Sequence, residues 1–499
     1  MKIKRLDNAI TQILAATLLL LMALAILSTV YMYVLSYPLP NSVPYVDIVG
    51  SLDESNITLL HRGGESLDLD TELVLDIGNT TDITTVGNLL DSESKNDGFW
   101  NIGEALVYQV GDVTGLKVGA FISHMESESL IFQVWLQPTF SDTIEYYIEI
   151  GKEGNMVIIP GTLNVIIVYT DKDNDGWVQT IELEPDGGIA AILDTLEFDP
   201  NFCNNPNLIH VSGSTYAICY RAQGSDGTLK TVQIAANGSI NDTIQDSLVF
   251  DSNNCFDPDI IHISGNVYAI TYTQDEEDGF IKTIEILPDG DITTVQDTLE
   301  FDEIEGKFST ICHISGDIYA ILYEGDDSDG FLSTVEIAAN GNITDPVIDT
   351  FEFDSNIGKG PDMVHVSGDI YAIAYEGQGQ QGYLKTVEIE ENGFINNTVI
   401  ETTMFDASKG NNPELIHVSG SIFAIVYSGN GDMGRLITVE IASDGSIVDP
   451  TVDAWEFTAY CKNPHIIRVT NNYYVISYRG IGNKGFLTTA HIANNGDIY

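Results

Sequence analysis

Seven tyrosines, Tyr169, Tyr220, Tyr272, Tyr323, Tyr375, Tyr427 and Tyr478, are separated by 51, 52, 51, 52, 52 and 51 residues. So regular a period restricts the chain to repeat architectures, in which each unit buries its apolar face against the next. The text around each tyrosine recurs, as in Gly316-Asp317-Ile318-Tyr319-Ala320-Ile321-Leu322-Tyr323 and Gly368-Asp369-Ile370-Tyr371-Ala372-Ile373-Ala374-Tyr375. These alternating β-branched and aromatic runs predict strands. Each unit holds three more, exemplified by residues 259–263, 280–286 and 297–302. Four strands in about fifty residues make one blade of a β-propeller.

The connections agree. A glycine follows each tyrosine by seven residues (Gly176, Gly227, Gly279, Gly330, Gly382, Gly434, Gly485), which predicts tight hairpins with positive φ at those glycines. The third strand of every unit ends in Asp-Gly or Asn-Gly, from Asp186-Gly187 to Asn495-Gly496, which is turn chemistry. The unit ending at Ile498-Tyr499 has no fourth strand of its own. Asp142-Thr143-Ile144-Glu145-Tyr146, 52 residues before Asp194-Thr195-Leu196-Glu197-Phe198, matches the outer strands of the others. The expectation is a mainly β chain with a seven-bladed propeller of four-stranded blades over residues 139–499, closed by an outer strand at 142–147. Closure of this kind removes the exposed sheet edges of an open array.

Residues 1–138 lie outside the repeat. Lys2, Lys4 and Arg5 precede a stretch from Ala9 to Tyr45 without a charge, almost wholly apolar from Ile13 to Leu35. That is long enough to span a bilayer, with the basic end cytoplasmic and the acidic bulk outside. The reading is a basic leader at 1–9, a transmembrane helix at 10–37, a stiff linker at 38–44 carrying Pro38, Pro40 and Pro44, and a small β-sandwich at 45–138.

Three segments also carry a resemblance. Lys4-Arg5-Leu6-Asp7-Asn8-Ala9-Ile10-Thr11-Gln12-Ile13-Leu14-Ala15, then Ile57-Thr58-Leu59-Leu60-His61-Arg62-Gly63-Gly64-Glu65-Ser66-Leu67, then Trp100-Asn101-Ile102-Gly103-Glu104, resemble archaeal type IV pilins and pilin-like proteins. Gln12 and Ala15 stand where that family most often has proline and glycine. The resemblance implies cleavage of the leader between Ala9 and Ile10. It also implies a helix held in the membrane or packed with other pilin-like subunits in a filament, leaving the bulk of the chain extracellular.

The chain has 74 acidic and 20 basic residues, a formal charge of −54, which argues against nucleic acid as a partner. Cys203, Cys219, Cys255, Cys312 and Cys461 show no zinc or haem spacing. Cys203 and Cys255 share a repeat position, so a bond between adjacent blades and two separate thiols both remain open.

Asp171-Lys172-Asp173-Asn174-Asp175-Gly176 with Glu182 matches the calcium-loop pattern of alternating oxygen ligands, a glycine and a terminal glutamate. Glu182 recurs as Glu285, Glu336, Glu388 and Glu440, so it belongs to a strand and no helix-loop-helix is expected. A calcium-binding hairpin using Asp171, Asp173 and Asp175 stands beside a plain solvated turn. Glu276, Asp278, Asp327 and Asp329 extend the acidity to one rim of the disc. His210, His262, His313, His365 and His417 each precede their tyrosine by ten residues. They form either an axial ring lining a metal or ligand channel or a set of polar contacts between blades. Asn56, Asn79, Asn237, Asn241, Asn342 and Asn396 begin glycosylation sequons.

No nucleophile elbow, phosphate loop or carboxylate pair departs from the repeat, and no cofactor beyond calcium is implied. The expected role is non-enzymatic: a cell-surface, pilin-like protein whose propeller serves adhesion or binds an extracellular glycan or protein. A structural filament or surface-layer subunit, and an extracellular propeller hydrolase or lyase, are the alternatives.

Overall fold

The computed structural model describes residues 46–52, 56–77, 80–90, 98–109, 118–124, 129–136, 143–147, 152–184, 187–274, 277–470 and 472–499. The expected leader, membrane helix and linker, the Ala9/Ile10 junction, Asn79 and Glu276 lie outside these residues. Among the described residues no helix is long and apolar enough to cross a membrane. The chain divides into two compact units, Met1–Thr139 and Phe140–Tyr499.

In the first unit, Val46–Leu52, Asn56–Gly64 and Ala105–Gln109 form one sheet; Thr80–Thr85, Glu72–Ile77, Val118–His124 and Ser129–Leu136 form another. Ile57, Leu59 and Leu106 from the first sheet and Leu73, Leu75, Ala120 and Ile122 from the second share one core with Trp100. The Trp100 indole meets the His61 ring edge-on at 5.2 Å and donates to the Glu104 carbonyl at 2.9 Å. Segments 57–67 and 100–104, singled out in the sequence, therefore pack on each other.

The second unit contains seven four-stranded antiparallel sheets, blades 1 to 7 in chain order. Blade 3 is typical: Phe256–Ser264, Val267–Thr273, Gly279–Ile286 and Ile292–Asp302 pair in sequence. Lys152–Ile158, Cys203–Ser212, Phe256–Ser264, Lys307–Ser315, Lys359–Ser367, Asn411–Ser419 and Lys462–Arg468 are the first strands, and each contacts the next around a closed ring. Blade 7 takes its outer strand from Thr143–Tyr147, with Thr143 opposite Thr488, Ile144 opposite Leu487 and Glu145 opposite Phe486.

The ruler of tyrosines marks the seams. Tyr272 Oη donates to Asp251 at the end of blade 2 (2.6 Å), where Lys282 Nζ also donates (2.5 Å). Tyr220–Asp199–Lys230 and Tyr375–Asp354–Lys385 repeat this arrangement; Tyr323–Asp302 and Tyr427–Asp406 keep the tyrosine without the lysine. Burial pushes Asp199, Asp251 and Asp354 up, but the hydrogen bonds from tyrosine and lysine outweigh it and hold all three below the usual carboxylate range. Two further ties recur. Thr180, Thr231, Thr283, Thr334, Thr386 and Thr438 donate to the turn-glycine carbonyl of the next blade at 2.5 to 2.7 Å. An outer-strand acid, Asp297 for example, accepts the N–H of the next blade's turn, here Ile343 at 2.8 Å. Polar groups in each seam are thus satisfied across blades, as buried groups must be.

The hairpin glycines need a different explanation from the expected one. Turn glycines such as Gly290 and Gly393 have φ of 100° and 90°, but Gly176 through Gly485 do not have positive φ. Positive φ sits two residues earlier, at Asn174, Ser225, Glu277, Ser328, Gln380, Asp432 and Asn483. The glycine is required because the outer-strand aromatic lies on it. A Cβ on Gly176 would come 2.6 Å from the Phe198 ring, and on Gly227 2.6 Å from the Phe250 ring. In blade 7 the same place is taken by Tyr146 of the closing strand.

Candidate functional site

The first strand of every blade begins with an irregularity. Pairing shifts between Asn204 and Asn207, Phe256 and Asp259, Lys307 and Thr310, Lys359 and Asp362, Asn411 and Glu414, and Lys462 and His465. Within these bulges Asn205, Asp257, Phe308, Gly360, Asn412 and Asn463 adopt φ of 44° to 51°. Bulges re-aim side chains, and left-handed residues other than glycine cost on the order of 1 kcal/mol each. Here they surround a cavity of 480 Å³ at the ring's centre, onto which Asn155, Asn207, Asp259, Thr310, Asp362, Glu414 and His465 converge, one from each blade.

Part of this ring is knit together. Asn207 donates to Asp259 Oδ1 (2.7 Å), and Asp259 Oδ2 accepts from Thr310 Oγ1 (3.0 Å) and the Ile311 N–H (3.1 Å). Asp362 accepts the Leu415 N–H (2.7 Å), and Glu414 the Ile466 N–H (3.0 Å), so each acid reaches the following blade. Asn155 Nδ2 lies 3.5 Å from His465 Nε2, while His465 Nδ1 is buried without a partner.

Burial pushes Asp362 up to about 7, with the Glu414 charge adding to it and the N–H groups of Leu415 and Met363 opposing. Burial likewise raises Glu414 to about 8 and lowers His465 to about 4. Two carboxyl groups that exchange protons near neutrality beside a neutral imidazole can give and take protons or accept hydrogen bonds from a bound group. Because the folded-state values of Asp362 and Glu414 lie above the unfolded ones, the contribution of these two acids is fully present below pH 4 and is lost as pH rises toward 8, whereas the lowered value of His465 acts in the opposite sense between pH 4 and 6.5. Asp362→Asn with Glu414→Gln keeps a side-chain oxygen to accept each backbone N–H. Urea unfolding should show this variant matching the wild type at pH 4 and exceeding it by about 2–4 kcal/mol at pH 8.5.

The sites expected from sequence are arranged otherwise. His210, His262, His313, His365 and His417 do lie on first strands. Their Nε2 atoms, however, contact the carbonyls of Gly213, Gly265, Gly316, Gly368 and Gly420 at 2.8 to 3.1 Å. Each ring packs 4.9 to 5.1 Å from an aromatic of the second strand, such as Tyr216 or Phe423. They brace local hairpins and do not form the axial ring; His313 and His365 border a smaller cavity of 330 Å³ between blades 4 and 5.

Asp171 turns inward on its own hairpin. Its Oδ1 accepts from the N–H groups of Asp173 and Asp175 (2.8 Å each), and its Oδ2 from the Trp177 indole (3.3 Å). Asp173 pairs with Lys172 at 2.5 Å. Among the described residues no group of three or more His, Cys, Asp or Glu side chains is placed to hold a metal ion. The hairpins share an end of the disc with the loops entering the first strands, since the N–H groups of Gly306 and Gly358 donate to the carbonyls of Glu277 and Ser328. Like charges crowd this rim: partial burial, then neighbouring carboxylates, raises Asp175, Glu300 and Asp329.

Asn237, Asn241, Asn342 and Asn396 are exposed on the third-strand turns, at the opposite end. Asn56 begins the strand Asn56–Gly64. None of the five cysteines forms a disulfide, so of the two alternatives for Cys203 and Cys255 the structure has separate thiols. Cys203 and Cys255 instead pack beneath Gly176 and Gly227, one blade apart.

Sequence reading passes over the axial ring because no single residue type is common to its members. The signal is present nonetheless: Asn205-Pro206-Asn207, Asp257-Pro258-Asp259, Phe308-Ser309-Thr310, Gly360-Pro361-Asp362, Asn412-Pro413-Glu414 and Asn463-Pro464-His465 all lie at one repeat position. Their third residue varies where the flanking strands repeat.

No protein family and no curated protein matches the chain. Similar solved structures include the periplasmic gluconolactonase of Pseudomonas aeruginosa (12% identity, TM-score 0.47, covering 78% of this chain and 97% of that one). The WD40 domain of Toxoplasma gondii coronin is another (11%, 0.46, 72% and 89%), as is Sqt1 from Chaetomium thermophilum (12%, 0.43, 77% and 91%). The propeller assignment stands on the seven sheets themselves.

Proposed function

We propose that this chain is a cell-surface binding protein, a pilin-like anchor carrying a propeller whose axial cavity takes an extracellular ligand. The observation that carries the reading is the ring of Asn155, Asn207, Asp259, Thr310, Asp362, Glu414 and His465 around a 480 Å³ cavity, chemically varied where the repeat is otherwise constant. A volume in this range suits a small ligand or the end of a larger one. The charge-free segment from Ala9 to Tyr45 and the pilin-like residues around it support membrane or filament attachment. The exposed sequons on the far turns would keep any glycans away from the cavity end.

Thermal unfolding of the full chain tests this, with calcium, with chelator and across a panel of glycans. A ligand at 100 times its dissociation constant should stabilise by about 2.7 kcal/mol. Silence from the whole panel would favour a structural filament or surface-layer subunit. A second reading, an extracellular hydrolase or lyase, is favoured by Asp362 and Glu414, whose carboxyl groups are poised near neutral pH in the cavity wall. Turnover of a stabilising ligand, lost in Glu414→Gln, would decide for it.

A further inference from the structure

The residues lining the axial cavity include four acids, Asp257, Asp259, Asp362 and Glu414, and no lysine or arginine. His465, the one other titratable group on the wall, is neutral at physiological pH because burial lowers its value. The wall therefore has no internal counter-charge for Asp362 and Glu414, in adjacent blades. Phe308 also lines the cavity. It occupies the left-handed bulge position (φ 49°) held by Asn, Asp or Gly in blades 2, 3, 5, 6 and 7, yet the residue is 48% exposed. A bulky residue is costly at such a φ and gains little from so exposed a ring. An aromatic face beside carboxylates is the recognition chemistry of organic cations. An inorganic ion lacks a ligand set, since no metal-holding cluster of His, Cys, Asp or Glu occurs among the described residues.

We infer that the axial cavity binds a protonated amine, its ammonium seated against the carboxyl groups of Asp362 and Glu414 and its carbon chain against Phe308. This rests on the binding-protein reading above. The ammonium supplies the missing counter-charge, so binding draws both carboxyl groups into their ionised form and releases protons. The negative rim, with Asp327 and Asp329 among its acids, concentrates cations at the same end of the disc.

Calorimetric titration of the full chain with putrescine tests the inference, since an alkyl amine stays protonated from pH 6 to 8.5. Affinity should rise at least about tenfold between those pH values, as Asp362 and Glu414 ionise. Protons should be released at pH 6.5, read from the heat in two buffers of different ionisation enthalpy. Asp362→Asn with Glu414→Gln should abolish binding, while Asp291→Asn with Glu390→Gln, which removes the same charge at the opposite end, should leave affinity within about twofold. Phe308→Asn should weaken binding about fivefold while raising the melting temperature, a pairing that a purely structural phenylalanine would not give. Butanediol should not bind. Binding that is indifferent to pH and to the double substitution would overturn the inference. So would a neutral glycan that stabilises the chain when putrescine does not, although the binding-protein reading would then survive; silence from both ligands would remove both.

Discussion

Asp251→Ala should lower the stability of the propeller by about 3–5 kcal/mol, the cost of stranding a buried charge. Its carboxylate holds Tyr272 Oη and Lys282 Nζ in the seam between blades 2 and 3, where the side chains of Lys282 and Asp251 are only 13% and 3% exposed. Without it the ammonium and the phenol lose their shared acceptor. Adding Lys282→Met should recover part of the loss. Asp302→Ala, in a seam where Ser333 stands in place of the lysine, should cost less, about 1–3 kcal/mol. Denaturant unfolding measures all three. Because the hydrogen bonds lower Asp251 below its unfolded value, its contribution is present above pH 4 and disappears as pH falls through the folded value. An Asp251→Ala cost no greater than that of removing the exposed Lys172–Asp173 pair, under about 1 kcal/mol, would show that the seams are held by apolar packing alone.

The second large effect concerns closure. A fragment of residues 148–499 should be less stable than one of residues 139–499 by at least about 3 kcal/mol, the scale of deleting one buried aromatic. It loses Tyr146, 4% exposed and packed on Gly485 and Tyr169, and the Lys484–Glu145 pair at 2.9 Å. It also leaves the strand Gly485–His491 with an unpaired edge, so it should self-associate in sedimentation experiments. A synthetic peptide of residues 139–150 added in trans should restore both properties. Equal melting temperatures for the two fragments would mean that the strand merely covers blade 7 and does not hold the ring.

Much of this architecture is legible in the sequence because the repeat states each instruction seven times. The pairing of Thr143–Tyr147 with the last blade follows from one 52-residue offset. The hairpin glycines show where such reading stops. Gly382 and Gly393 look alike as text, yet one is small because Phe405 lies against it and the other because its φ is 90°. Only packing distinguishes them. The histidines mislead for a related reason: a repeated residue type draws the eye, and His262 is repeated because it closes a hairpin on the Gly265 carbonyl. Function in a closed ring resides where the repeat breaks. Asp259, Thr310, Asp362, Glu414 and His465 share only a register position, set by bulges that no alternation of polar and apolar residues encodes.

The strand Thr143–Tyr147 is also the first part of the disc met along the chain from its N-terminal side. Any pull on the preceding chain is transmitted to the propeller through the pairs Thr143–Thr488, Ile144–Leu487 and Glu145–Phe486 before it reaches any seam. The clasp of the ring is therefore its mechanical fuse. Tension that peels this strand away opens blade 7 at its outer edge, with two strands still standing between the opening and the strand Lys462–Arg468 that carries His465, so the axial cavity is the last part of that blade to feel the load.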